Sequence, residues 1–203
     1  MNFKAAIFDL DGTLLDTLQD LADSMNYVLE SQGLPIHERE KYKYFVGNGL
    51  YNLVKRTLPP DRREESYIRY CHGLLKEEYA KRWADTTKPY EGIPELLDKF
   101  TALKYRLAIL SNKPHEFTKL VVEKFLSHWN FEVVFGEREG VPRKPDPAGA
   151  IEIAELWASL PMSFCTSVIQ APIWQRLKLR ECLPWESYGD LEVPMSSLKT
   201  VPI

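Results

Sequence analysis

Cysteine is scarce in this chain: Cys71, Cys165 and Cys182 are widely spaced and odd in number, and no CxxC pair occurs. That argues against a disulfide framework or a cysteine-ligated metal cluster. A basic run is also missing, because 26 Lys+Arg stand against 29 Asp+Glu, a net charge of 26 − 29 = −3. Nothing in the charge pattern asks for nucleic acid or an anionic membrane as partner. No apolar run is long enough to span a bilayer. The apolar start is short and runs straight into Asp9, unlike a signal peptide, so a soluble, cytoplasmic protein is expected. What the chain does have is apolar content, 44% of 203 residues, enough for one full domain and a small inserted one.

The stretch Phe8-Asp9-Leu10-Asp11-Gly12-Thr13-Leu14-Leu15-Asp16 organises the rest. It follows Phe3-Lys4-Ala5-Ala6-Ile7, which reads as a buried strand, and interrupts the apolar run with two carboxylates and a glycine. In a parallel sheet, ligands bind beyond the carboxyl ends of the strands, so acids placed there face a crevice. Gly12 lets the backbone turn, and Asp9 and Asp11 can then converge on one substrate. That pairing suits a nucleophile beside an acid/base. Asp9-Leu10-Asp11-Gly12-Thr13 after an amino-terminal strand resembles the first signature of the haloacid dehalogenase-like hydrolases.

Two further strand ends fit the same plan. Tyr105 to Leu110 reads as a buried strand ending in Ser111-Asn112-Lys113-Pro114, where Ser111 and the amides after it can donate to phosphate oxygens. Phe131 to Gly136 reads as a third strand, followed by Pro142-Arg143-Lys144-Pro145-Asp146-Pro147, in which prolines hold a lysine in a rigid loop before a helix over 148–156. Ser111 and Lys144 match the second and third signatures of the family.

Between the first strand and Tyr90 the pattern is helical. Asp16 and Gln19 form a plausible capping box ahead of Leu18, Leu21, Ala22, Met25, Val28 and Leu29 at helical spacing. Helices follow around Leu50–Leu58 and over 61–83. The expected fold is α/β: a Rossmann-like parallel-sheet core from residues 1–16 and 90–156, with an inserted helical domain over 17–89. In the resembled family a helical cap at this position closes over the active site and selects the substrate. Within it, Gly47-Asn48-Gly49 ahead of a helix can present amides to an anion, and equally suits a plain helix start. It looks like the cap loop of the phosphoglycolate phosphatase branch.

The resemblance implies a Mg²⁺-dependent phosphomonoester hydrolase acting on a small phosphorylated metabolite, with 2-phosphoglycolate first in line. Asp9 would be the nucleophile and Asp11 the acid/base, and both would hold Mg²⁺. Ser111 and Lys144 would neutralise phosphate charge. Gly12, Thr13, Asn112, Gly47 and Asn48 would contact substrate. A halide leaving group needs no proton whereas an alkoxide does, so the second carboxylate favours phosphate chemistry over dehalogenation. A phosphosugar mutase shares both acids and the helical cap. A non-enzyme remnant is the alternative from another class.

That last alternative arises because the family's fourth signature, an apolar strand ending in Gly-Asp with another Asp beyond it, does not occur. No acid lies between Glu155 and Glu181, and residues 157–203 carry three of five tryptophans and five of fourteen prolines but one glycine, Gly189. The carboxy-terminal strands of the sheet are therefore expected to be disrupted. Pairing the third base of each codon with the first two of the next, however, lets Phe164 to Cys182 be read as LYVGDSGADMATAKAAGM, which is the missing signature. We infer a shifted reading frame from about Trp157. Sequencing an independent clone across codons 150 to 165 is expected to show the displaced base. An undisturbed frame, with these residues confirmed by peptide mass, would overturn a sequencing or cloning error.

Overall fold

Four consecutive apolar residues ahead of the acids form β1 (Ala5–Phe8), which is buried at every position. In the computed structural model, which describes residues 5–158 and 166–169, β1 is an inner strand of a four-stranded sheet. Its neighbours are β4 (Arg106–Pro114) and β6 (Thr166–Ile169), and β5 (Phe131–Glu137) lies outside β4, all pairs being parallel. Ile7 pairs with Ala108 and Phe8 with Ile109, which brings the carboxyl ends of β1 and β4 to one edge of the sheet.

Strand alternation sends successive side chains to opposite faces. Ala6, Phe8, Leu107 and Ile109 pack against Ile93, Leu97 and Phe100 of α5 (Ile93–Ala102) and Val121 and Val122 of α6 (His115–Phe125). Ala5, Ile7, Ala108 and Leu110 pack against Ile153 and Trp157 of α7 (Ala148–Ala158). Helices on both faces of a parallel sheet make the doubly wound arrangement expected from the sequence. Trp157 is itself built into this core, with the Arg106 guanidinium 5.2 Å from its ring centroid. A strand over Thr166–Ile169 corrects the expectation of disrupted pairing at that point: its β-branched residues suit a pleated ladder. The other tail residues, 159–165 and 170–203, lie outside the described residues, and with them the rest of the region read for the fourth signature, as do Phe3 and Lys4.

The helical segment leaves and rejoins the core through a two-stranded antiparallel ribbon. In it β2 (Leu15–Asp16) pairs with β3 (Lys88–Pro89). Between them run α1 (Leu18–Ser31), α2 (Arg39–Phe45), α3 (Gly49–Thr57) and α4 (Glu65–Arg82). They share their own core of Leu21, Met25, Leu29, Tyr42, Leu53, Val54, Ile68, Leu75 and Tyr79. The expected capping box forms only in part, with Asp16 Oδ1 accepting from the Leu18 amide at 3.3 Å and no return bond from Gln19. Asp16 is drawn to Arg39 at 3.1 Å, and Gln19 donates to Asp23 instead. The fourth helix begins at Glu65 rather than Asp61, because the proline-led stretch Pro60–Arg62 forms a 3₁₀ turn. Helix α2, with only Tyr42 buried, shows no apolar face in the sequence.

One buried acid fastens the two ends of the insertion. Asp20 of α1 accepts from the Thr86 and Thr87 amides at 2.9 and 3.0 Å and from their hydroxyls at 2.5 and 2.7 Å. Removing it orphans four donors next to the ribbon, and a hydrogen bond to a charged group contributes about 1.5–3 kcal/mol. Asp20→Ala is therefore expected to cost about 2–4 kcal/mol of unfolding free energy, read from the urea midpoint.

Candidate active site

Beyond β1 the chain turns sharply. Gly12 takes a φ of 75°, in the left-handed region open to glycine, and its amide donates to the Leu15 carbonyl at 2.9 Å. The Leu10 carbonyl accepts from the amides of Thr13, Leu14 and Leu15 at 3.0–3.2 Å, which closes the turn. This knot fixes Asp9 and Asp11 at the sheet edge. At Asp9 the Leu10 amide donates to Oδ1 at 2.8 Å, and Lys144 Nζ lies 2.8 Å from the same oxygen. The lysine contact is an ion pair rather than a well-aligned hydrogen bond. Burial pushes the Asp9 carboxyl above its ordinary pKa, and the opposing charge of Lys144 does not fully offset it.

Asp11 has partners of its own. Thr17 Oγ1 donates to its Oδ1 at 2.8 Å, and Lys113 Nζ lies 3.0 Å from Oδ1 and 3.4 Å from Oδ2. Each of the two carboxylates thus has an ammonium against it, from the loop after β5 and from the end of β4 respectively.

Ser111 is buried beside both acids, and its Oγ accepts from the Lys113 amide at 3.2 Å. Asn112 works as a clamp. Its side-chain amide donates to the carbonyls of Gly47 and Lys144, both at 3.0 Å, and its Oδ1 accepts from the Lys144 amide at 2.9 Å. One residue thereby joins the lysine loop, the strand end and the helical layer. Gly49 takes a φ of 80°, in the left-handed region open to glycine, where the helical layer meets the strand end. Asn48 lies between the Gly47 carbonyl and Arg56, with its amide turned so that nitrogen faces the former and oxygen the latter.

A cavity of about 460 Å³ opens between sheet and helical layer. Asp9, Asp11, Gly12, Thr13, Gly47, Asn48, Asn112 and Lys144 all line it, so eight of the nine candidate residues share one space. Ser111 lines an adjoining pocket with Asp9 and Asp11. Sequence reasoning missed Arg39, Lys43 and Tyr90 on the cavity wall, and Thr17, Lys113 and Tyr79 behind Asp11. Arg39 and Lys43 at i and i+4 carried a usable signal, a basic helix edge preceding the Gly-Asn-Gly loop.

Mg²⁺ is a hard cation that commonly takes one or two protein carboxylates and fills its shell with water and substrate phosphate. The Asp9 carboxylate, lining the cavity, fits that requirement, whereas the Asp11 carboxylate is already held by Lys113 and Thr17, which leaves its carbonyl oxygen as the second donor. No third acidic, histidine or cysteine side chain joins them among the described residues.

Residues 6–159 match the model of a family described as haloacid dehalogenase-like hydrolase. A phosphoglycolate phosphatase of Psychrobacter arcticus is 30% identical over 162 residues, covering 77% of this chain and 70% of its own. One from Nitrosospira multiformis is 32% identical over 155 residues, covering 75% and 68%. Among solved structures, a candidate phosphoglycolate phosphatase of Lactobacillus delbrueckii subsp. bulgaricus superposes with a TM-score of 0.72 at 30% identity, over 79% of this chain and 75% of its own.

The raised Asp9 pKa fixes the sign of one measurement. A folded state that holds the proton more tightly than the unfolded chain loses stability as pH rises from the ordinary carboxylate value through the folded one. Asp9→Asn is therefore expected to raise the urea midpoint at neutral pH in metal-free buffer. That gain should shrink as the solution is acidified below the ordinary carboxylate range.

Proposed function

The chain belongs to the haloacid dehalogenase-like hydrolases, and on that footing we propose that it hydrolyses 2-phosphoglycolate through an aspartyl-phosphate on Asp9. The observation that carries this reading is the pair of carboxylates at the end of β1, each held against a lysine and both facing the cavity under the helical layer.

In this reaction Asp9 attacks phosphorus in line, using a carboxylate fixed by the Leu10 amide and Lys144. Asp11 protonates the departing alkoxide and then takes a proton from the water that hydrolyses the acyl phosphate. Lys144, Ser111 and the amides that follow it neutralise charge on the phosphoryl oxygens, which is the main task in phosphoryl transfer. Mg²⁺ would be held by the Asp9 carboxylate and the Asp11 carbonyl oxygen, where it supplies further charge for those oxygens. Asn112 keeps the lysine loop in register with the strand end.

The substrate assignment draws on the relatives' activity and on the far wall of the cavity. Arg39 and Lys43 give that wall its cations, and Gly47 and Asn48 stand beside them, a setting suited to a carboxylate at the end of a short phosphomonoester. The inserted helices over 17–89 serve in this reading as the lid that excludes water during transfer.

The test is Mg²⁺-dependent phosphate release from 2-phosphoglycolate and from p-nitrophenyl phosphate by chain of verified intact mass. Turnover of both is expected, with Asp9→Asn slower by at least about a thousandfold. Turnover that survives in Asp9→Asn would remove Asp9 from the mechanism. An inactive chain beside an active product of the frame-restored gene would assign the loss to the tail.

A further inference from the structure

Lys113 has no part in the reaction as drawn, yet it is the most completely enclosed cation of the site. Its side chain is 1% exposed. Its ammonium meets Asp11 Oδ1 at 3.0 Å and the Tyr79 hydroxyl at 2.6 Å, and it lies 4.7 Å from the centre of the Tyr79 ring. Tyr79 belongs to α4 of the helical layer, whereas Lys113 and Asp11 belong to the sheet edge. The Tyr79 ring also meets Phe117 of α6 in an edge-to-face arrangement, with centroids 5.1 Å apart. Thus the helical layer contributes a hydrogen-bond acceptor to a lysine that holds Asp11.

The consequence follows from solvation. An ammonium removed from water needs replacement partners, and a charge pair is strengthened when water is excluded around it. With α4 in place, Tyr79 supplies that replacement and completes the enclosure. Burial alone would push the Lys113 pKa down, but the Asp11 charge and the Tyr79 contact outweigh it and hold it above the ordinary lysine value. Burial pushes the Tyr79 phenol up to about 12, so it stays neutral and accepts from the ammonium.

We propose that Lys113 and Tyr79 are positioning residues for Asp11, Lys113 by direct contact and Tyr79 through Lys113. The proposal rests on the reading of Asp11 given above. In the step concerned, an Asp9 oxygen bonds to phosphorus and the ester P–O bond breaks. Its electron pair goes to the leaving oxygen, which takes the proton carried by Asp11. An alkoxide needs that proton far more than a p-nitrophenolate does. The quantity to compare is kcat/KM, which in a two-step reaction reads the step that expels the alcohol and not the later hydrolysis of the acyl phosphate.

Tyr79→Phe keeps the ring and removes the acceptor, and Lys113→Met keeps the volume and removes the charge. Each is expected to lower kcat/KM for 2-phosphoglycolate at least tenfold further than kcat/KM for p-nitrophenyl phosphate, with Lys113→Met nearing about a hundredfold, within the range of general-acid catalysis. Should Lys113→Met fail to fold, the milder Tyr79→Phe decides alone. Equal losses on both substrates would mean a merely structural role and overturn the proposal, as would no loss on either. Absence of Mg²⁺-dependent turnover of both esters by the unmodified chain would overturn the phosphatase reading and this inference with it, a failure visible before any variant is made.

Discussion

Two carboxylates fixed at one strand end repel each other, and both are only partly open to water, their side chains 26% and 19% exposed. The fold answers with one lysine for each: Lys144 against Asp9 and Lys113 against Asp11. Neither lysine is close to its partner in sequence, so the pairs form only when β1 and β4 lie side by side and the loop after β5 folds back over them. Much of the surrounding structure serves that requirement. Asn112 ties the Lys144 loop to the strand, and Gly136 has no Cβ to collide with the His115 backbone and the Lys113 carbonyl, each of which it would meet at 2.5–2.6 Å. The doubly wound sheet therefore does more than bury apolar area. It delivers opposite charges to positions where the carboxylates alone would cost several kcal/mol to bury.

The helical layer is bound into the same electrostatics. Its four helices have a core of their own, and it meets the rest of the chain through polar points, Gly47 with Asn112 and Tyr79 with Lys113, and through ring contacts of Tyr79 with Phe117 and Trp83 with Phe125. Polar contacts of this kind are directional, so they specify a seated geometry without making the two cores one. The cavity lies along this seam, and the groups on its two walls differ in kind, with acids and a lysine on the sheet side and Arg39 and Lys43 on the helical side.

How much of this was legible in the sequence depends on the range over which each feature is encoded. Asp9, Asp11, Ser111 and Lys144 each end or follow an apolar strand run, a local signal, and the parallel sheet then brings them to one edge. The helices with strong apolar periodicity, such as α1 and α3, were legible for the same reason. Lys113 was not, because a lysine before a proline reads as solvated until a tyrosine from a helix far along the chain is set against it. Asp16 misled in the opposite direction: its spacing to Gln19 suits a capping box, but Arg39 is the stronger partner and arrives only with the tertiary fold. Helix α2 buries a single tyrosine and so left no periodic trace. The β6 strand was hidden in a tail whose composition points away from ordered pairing.

The ribbon of Leu15–Asp16 against Lys88–Pro89 has a consequence for how such a chain can diversify. Because the ends of the long helical excursion lie side by side, the sheet experiences it as a hairpin turn. Its loop-closure cost is met locally by two paired residues and by the four bonds to Asp20. Segments of different length and shape could be exchanged at that junction without disturbing the sheet, provided the replacement met Lys113 and Asn112 as Tyr79 and Gly47 do. The neck of the insertion is in this sense the place where the fold admits change at least cost to the sheet.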